Sequence, residues 1–213
     1  MPHRKINSRR LPVQKRSIQL TMDLVEGGFK VLDKVGLDKF STNKVAEATG
    51  VSIGSFYQYF NKKEDLLLRM IEVATSEILY QVTEKMNSLE FETPEEFLNC
   101  LVFDVYSLFM KQKSIRHMLF LSGRDSNGIY LVKRSREEFI SKLTIYYNER
   151  FPIKNLNDKQ SRTETLEMLV ISFMGLIQAI VLEKKPQKEA DNLMSKFSLA
   201  AQTTLRTFKS QYT

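Results

Sequence analysis

The residues best placed to do chemistry lie between positions 42 and 63: Thr42, Asn43, Ser52, Ile53, Gly54, Ser55, Tyr57, Tyr59 and Lys63. That chemistry is non-covalent. Hydroxyls and an ammonium can hold phosphate oxygens, and such contacts position a protein on a duplex without specifying sequence. Ser52, Ile53, Gly54 and Ser55 are small or short, so the helix that carries them can approach a groove closely. Ile53 can touch a thymine methyl but cannot hydrogen-bond. Covalent chemistry has no comparable candidate: the chain shows no Ser/His/Asp set, no Gly-rich phosphate loop and no carboxylate pair placed to act. Its one cysteine, Cys100, excludes a disulfide framework, and two distant histidines, His3 and His117, offer no metal cluster. No cofactor is expected.

These residues need elements to hold them. Ser41 and Thr42 can cap a short helix over 43–49, Gly50 closes it, and Ser52 caps a second short helix over 53–59. Two short helices joined by a tight glycine-containing turn form a helix-turn-helix pattern. Before them, Ile18, Met22, Val25, Phe29 and Leu32 form one apolar stripe on a helix of about 14–35, with Gly27-Gly28 inside it and Gly36 at its end. Phe56 and Phe60 can pack against that first helix. Asn61 to Glu64 is a variant capping box that opens a long helix of about 62–87. Thr93-Pro94-Glu95-Glu96 starts another, running to about Lys111. Further helices are expected over about 114–122, 127–150, 159–183 and 187–210, with 153–158 as a polar loop. No alternating strand pattern appears. The expected fold is all-α with about nine helices, divided into 1–62 and 63–213.

Charge supports the same partner. The chain of 213 residues has 32 basic and 25 acidic side chains, a net +7. The first 22 residues hold Arg4, Lys5, Arg9, Arg10, Lys15 and Arg16 with no acid. A basic arm suits a polyanion, because each phosphate contact releases condensed counterions; a solvated tail is the equal alternative. Tyr57 and Tyr59 likewise read as phosphate contacts or as half-buried surface aromatics, and Lys63 as a phosphate partner or a solvated charge at a helix start. No secretory h-region is visible, and the apolar stretch Met168–Leu182 spans about 22 Å as helix, short of a bilayer core. A cytoplasmic protein without a membrane partner is expected.

The segment from Thr42 to Leu68 resembles the TetR family of bacterial transcriptional regulators. Thr42, Val45, Ala46, Thr49, Gly50, Val51, Ser52, Gly54, Ser55, Phe56, Tyr57, Tyr59, Phe60, Lys63 and Leu66 fill its pattern in register. The resemblance implies a homodimer on a palindromic double-stranded operator, usually a repressor, released by a small-molecule effector bound in the C-terminal domain. It puts Thr42 and Lys63 on phosphates, Tyr57 and Tyr59 on the backbone, and Ile53, Gly54 and Ser55 at base edges. Gly27-Gly28 departs from it, since the family usually has Ala there. Beyond about residue 70 only the layout of a long, variable helical domain corresponds.

In that C-terminal region, Phe103, Tyr106 and Met110 share one helix face; with Met118, Phe139, Leu143 and Met174 they suit an adaptable apolar pocket, or plain core. Gln178, polar in an apolar helix, can orient a ligand or bond across a dimer. The helix over 159–183 is apolar nearly all round and therefore needs covering on every side. A two-fold interface through Met168, Ile171, Gly175, Ala179 and Leu182 answers that need, with Gly175 and Ala179 allowing close helix approach. A small helical enzyme and a protein-binding module are the rival classes. Steep salt dependence separates DNA binding from the latter.

Overall fold

The computed structural model describes residues 15–88, 91–111, 126–152 and 156–207, and among them all regular structure is helical. Eight helices follow in order: α1 (Lys15–Val35), α2 (Thr42–Thr49), α3 (Ile53–Tyr59), α4 (Lys63–Ser88), α5 (Pro94–Lys111), α6 (Ser126–Arg150), α7 (Leu156–Leu182) and α8 (Gln187–Arg206). The helix expected over 114–122, with His117 and Met118, lies outside the described residues, as does the basic arm through Arg10. The chain divides into two compact units, one holding the described residues up to Ala74 with Ser126–Gly128, the other Thr75–Lys111 with those from Ile129 onward. The long helix α4 runs from the first into the second.

In the N-terminal unit, α1 stays helical through Gly27-Gly28 because both glycines are points of close approach. A Cβ on Gly27 would overlap the methyl of Thr49 on α2. A Cβ on Gly28 would lie 2.7 Å from Sδ of Met70 on α4. The Thr49 hydroxyl donates to the carbonyl of Val45 at 2.8 Å, which fixes the rotamer and holds that methyl against α1. The side-chain-free stretch thus trades about 1 kcal/mol of helix propensity per glycine for interhelical contact. The buried side of α1 is Leu24, Val25, Val31 and Leu32. Ile18, expected on the inner stripe, is 49% exposed; periodicity names a face, but a face is buried only where a neighbour covers it. Phe40, Val45, Phe56, Phe60, Leu66 and Met70 complete this core.

The helix ends follow from local chemistry. Gly36 and Gly50 close α1 and α2 at φ of 73° and 69°, the left-handed region that glycine enters without penalty. Thr93 Oγ1 accepts from the amide of Glu96 at 3.2 Å, while Glu96 accepts from the amide of Glu92 at 3.1 Å, so α5 opens with reciprocal capping. Two expectations need correction. α7 begins at Leu156, not near 159: Asn157 and Asp158 read as loop residues but sit in a first turn, where polar and acidic side chains are favoured. α8 ends at Arg206, followed by a turn at Thr207, rather than running to 210.

The C-terminal unit is built on α5 and α8, tied by Asn99–Ser198 at 2.9 Å, Tyr106–Asp191 at 3.1 Å and Glu95–Arg206 at 3.1 Å. One side of α7 is buried in it through Arg162, Leu166, Val170, Phe173, Ile177 and Ile180. Arg162 is 1% exposed, and its guanidinium donates to the carbonyl of Phe151 at 2.6 Å and to Oδ1 of Asn148, with the Tyr147 ring beneath. It therefore pins the link between α6 and α7. Phe97 stacks on Tyr146 and meets Phe91 and Tyr147 edge-on, closing that end of the unit with aromatic rings. Because α7 is 27 residues long, it has by length and composition enough apolar helix to cross a membrane, which the shorter stretch Met168–Leu182 does not suggest. One side of it packs in this bundle, with about a third of its most apolar window buried.

Candidate functional site

Seven of the nine N-terminal candidates fall on three consecutive helix starts, and Tyr57 and Tyr59 lie in the second half of α3. Ser41 caps α2, its Oγ accepting from the amide of Lys44 at 3.4 Å. Thr42 and Asn43 are the first two residues of that helix. Ser52 caps α3: its Oγ accepts from the amide of Ser55 at 3.0 Å and lies 2.9 Å from the Ser55 hydroxyl. Both serines are therefore engaged in holding the helix start in shape. Lys63 is the first residue of α4 and is half-buried, ahead of Glu64 and Asp65.

The turn between α2 and α3 is set by Gly50 and by the amide of Val51, which donates to the carbonyl of Ala46 at 3.0 Å. Phe56 is fully buried, which fixes which side of α3 faces out. At about 100° per residue, the side opposite Phe56 carries Gly54 and residue 58, flanked by Ser55 and Tyr57. Ile53 and Tyr57 are 40% and 48% exposed, and Gly54 and Gln58 are exposed as well. Gln58 was not singled out from sequence. The signal was available: counting from an inward Phe56, position 58 must point out. Its amide can pair both with an adenine edge and with a phosphate.

The two tyrosines differ. Tyr57 OH lies 3.4 Å from the hydroxyl of Thr42 across the helix-turn-helix, at the exposed surface. Two hydroxyls thus converge next to the N-terminus of α2, where free backbone amides favour an anion. Tyr59 OH instead accepts from Ser17 Oγ at 3.3 Å, so it fastens α3 to α1 and is half-buried.

The C-terminal candidates disperse. A wholly apolar cavity of about 40 Å³ lies among α5, α6, α7 and α8, with Phe139 and Leu143 in its wall. Its α5 wall is Leu98, Leu101, Val102 and Val105; Phe103, Tyr106 and Met110 stand on other sides of that helix. Tyr106 is buried, with its hydroxyl donating to Asp191 and accepting from Gln187 at 3.1 Å. Burial first, and then the Asp191 carboxylate, push its pKa up. Met174 is half-buried outside the cavity wall, and Gln178 is exposed. Cys100, with its thiol donating to Asp104 at 3.2 Å, is raised in pKa by burial and by that carboxylate, the opposite of an activated thiol. No group of three His, Cys, Asp or Glu able to hold a metal ion occurs among the described residues.

The five residues Met168, Ile171, Gly175, Ala179 and Leu182 do share one side of α7, opposite its buried side. Met168 is 50% exposed and Ile171 and Leu182 are each 44% exposed. A Cβ on Gly175 would meet nothing within 4 Å.

Residues 24–70 match the bacterial regulatory proteins of the tetR family. The fatty acid metabolism regulator protein of Bacillus subtilis is 24% identical over 106 residues, which are 50% of this chain and 54% of that one. The match thus spans about half the length of that relative. The fatty acid degradation regulator from Bacillus halodurans superposes with a TM-score of 0.65 at 18% identity, over 87% of this chain and 96% of that one. The regulator FadR from Bacillus subtilis, solved with stearoyl-CoA, superposes with a TM-score of 0.63 at 17% identity, over 84% and 96%. The Ser41 and Ser52 caps, the glycine turn and the exposed side of α3 form a helix-turn-helix within the matched residues. Residues 24–70 thus match this family, and the described residues share the fold of these solved regulators.

Proposed function

We propose that the chain is a cytoplasmic transcriptional regulator that binds a palindromic operator as a homodimer, represses from it, and is released by a small apolar or amphipathic effector. DNA binding falls to residues 1–62 and effector binding and dimerisation to 63–213. The observation that carries the reading is the exposed face of α3 beside the Thr42–Tyr57 hydroxyl pair: one surface can enter a groove while the other holds the flanking phosphate. Thr42, Asn43, Tyr57 and Lys63 hold phosphates, and Ile53, Gly54, Ser55 and Gln58 meet base edges. Tyr59 acts through α1. The open stripe Met168–Leu182 on α7 is the dimer face, since exposed apolar residues aligned on one helix side gain most from a second copy. A two-fold dimer reads half-sites one helical turn apart, about 34–36 Å. The effector occupies the apolar cavity, and the stearoyl-CoA held by a structural relative favours a chain-like molecule. At about 40 Å³ the cavity is far below the several hundred Å³ of a ligand site, so binding requires the helices to spread. That spreading gives the effector a conformer to select, and repression is lifted when it prefers that conformer by several kcal/mol.

The test is retention of fragmented DNA by the purified protein at near-physiological salt, followed by sequencing. A two-fold palindrome should be enriched, with affinity falling steeply with salt. Tyr57→Phe and Lys63→Ala should weaken binding to all sequences, whereas Ile53→Ala and Gln58→Ala should change the preferred bases. A folded, dimeric protein that enriches no sequence would refute the reading.

A further inference from the structure

We propose that Arg136 anchors the anionic head of a single-chain amphiphile whose tail enters the cavity among α5–α8. The inference rests on the reading of that cavity as the effector site. Phe139 and Leu143 supply its α6 wall. At about 100° per residue, Arg136 sits on the same side of α6, one turn before Phe139. It stands one turn beyond a lining that is itself wholly apolar. Its Nε is buried and has no hydrogen-bond partner among the described residues. A buried donor without an acceptor is costly, and a carboxylate or phosphate oxygen would satisfy it where a hydrocarbon cannot.

The other end of the cavity offers no such place. One turn before the wall residue Leu166 stands Arg162, whose guanidinium already donates to Phe151 and Asn148. One turn beyond the wall residue Leu143, Tyr147 packs its ring against those of Phe97 and Phe151. A chain-like ligand must therefore enter tail first, with its head left at Arg136. Arg136 is itself half-buried, so an anion there keeps one side in water. That admits a free carboxylate and equally the phosphates of a bulkier acyl thioester.

Three probes with one tail separate these sources: dodecanoate, dodecanoyl-CoA and dodecanol, titrated calorimetrically into the full chain. The wild type should bind one or both anionic probes well ahead of the alcohol, and which of the two is tighter identifies the head. Arg136→Gln should lose about 10- to 100-fold for the anionic probe and change alcohol binding by less than about threefold, with Arg136→Lys recovering part of the loss. An Arg136→Gln protein that binds the anion as the wild type does overturns the proposal, and the effector reading of the cavity survives. If Arg136→Gln fails to fold, the wild-type preference decides: alcohol bound as tightly as the anions also overturns it. Binding of none of the three removes the cavity reading and the proposal together.

Discussion

In the N-terminal unit, α1 meets its neighbours where side chains are missing; in the C-terminal unit, helices meet through long side chains and leave a void. Gly27 and Gly28 receive Thr49 and Met70 so closely that an added carbon has nowhere to go without displacement. The α5–α8 bundle is held by a buried arginine, interhelical polar ties and stacked rings, yet encloses about 40 Å³ of apolar space. A surface that must present fixed groups to a rigid duplex gains from the first arrangement. A body that must admit a guest gains from the second.

Several substitutions can break or sharpen this contrast. The largest effect is expected where the C-terminal unit is most committed. Arg162→Ala removes a fully buried guanidinium from two acceptors and a ring, and should cost about 3–5 kcal/mol by denaturant unfolding. Hydrogen exchange should quicken first in α6 and α7; uniform loss across both units would deny it a local role.

Gly27→Ala comes next. It should destabilise by about 1–3 kcal/mol despite better helix propensity, because the Thr49 methyl is held by its own hydroxyl bond. Adding Thr49→Ser, which deletes only that methyl, should restore most of the loss; no recovery in the double variant would refute the steric account. Gly28→Ala should stay within about 1 kcal/mol, since the end of Met70 can swing away.

Ala201→Val asks the same question of the other unit. Ala201 is 1% exposed and lines the cavity, so two added methyls should change stability by less than about 1 kcal/mol while weakening chain-ligand binding. A loss as large as that of Gly27→Ala would mean that the void is not usable space. The smallest effect concerns the turn after α7, where Lys184 holds φ at 50°. Lys184→Gly should stabilise by about 0.5–1 kcal/mol in a thermal melt, because glycine enters that region freely.

What could be read from sequence divides along the same line. Ser41, Ser52, Thr93-Pro94, Gly36 and Gly50 act on backbone within a turn of themselves, so the helix starts and stops they announce are where they should be. The helix-turn-helix was legible for that reason, down to the caps. The cavity was not. Spacing put Phe103, Tyr106 and Met110 on one face of α5, but only packing decides which face meets a void; the void took Leu98, Val102 and Val105. Arg136 carried no local signal at all, since an arginine on a helix is ordinary until its surroundings are known. Leu156–Asp158 misled in the other direction, as polar residues serve loops and first turns alike.

The contact between Gly27 and Thr49 also orders the routes by which this sequence can drift. Loss of the Thr49 methyl opens space and leaves α1 intact, so it can happen first and unnoticed. Alanine at 27 fits only afterwards. Once both have changed, a return of threonine at 49 is barred in its turn. Two positions that look independent along the chain therefore keep a history, and a lineage that has crossed this step does not step back by the same door.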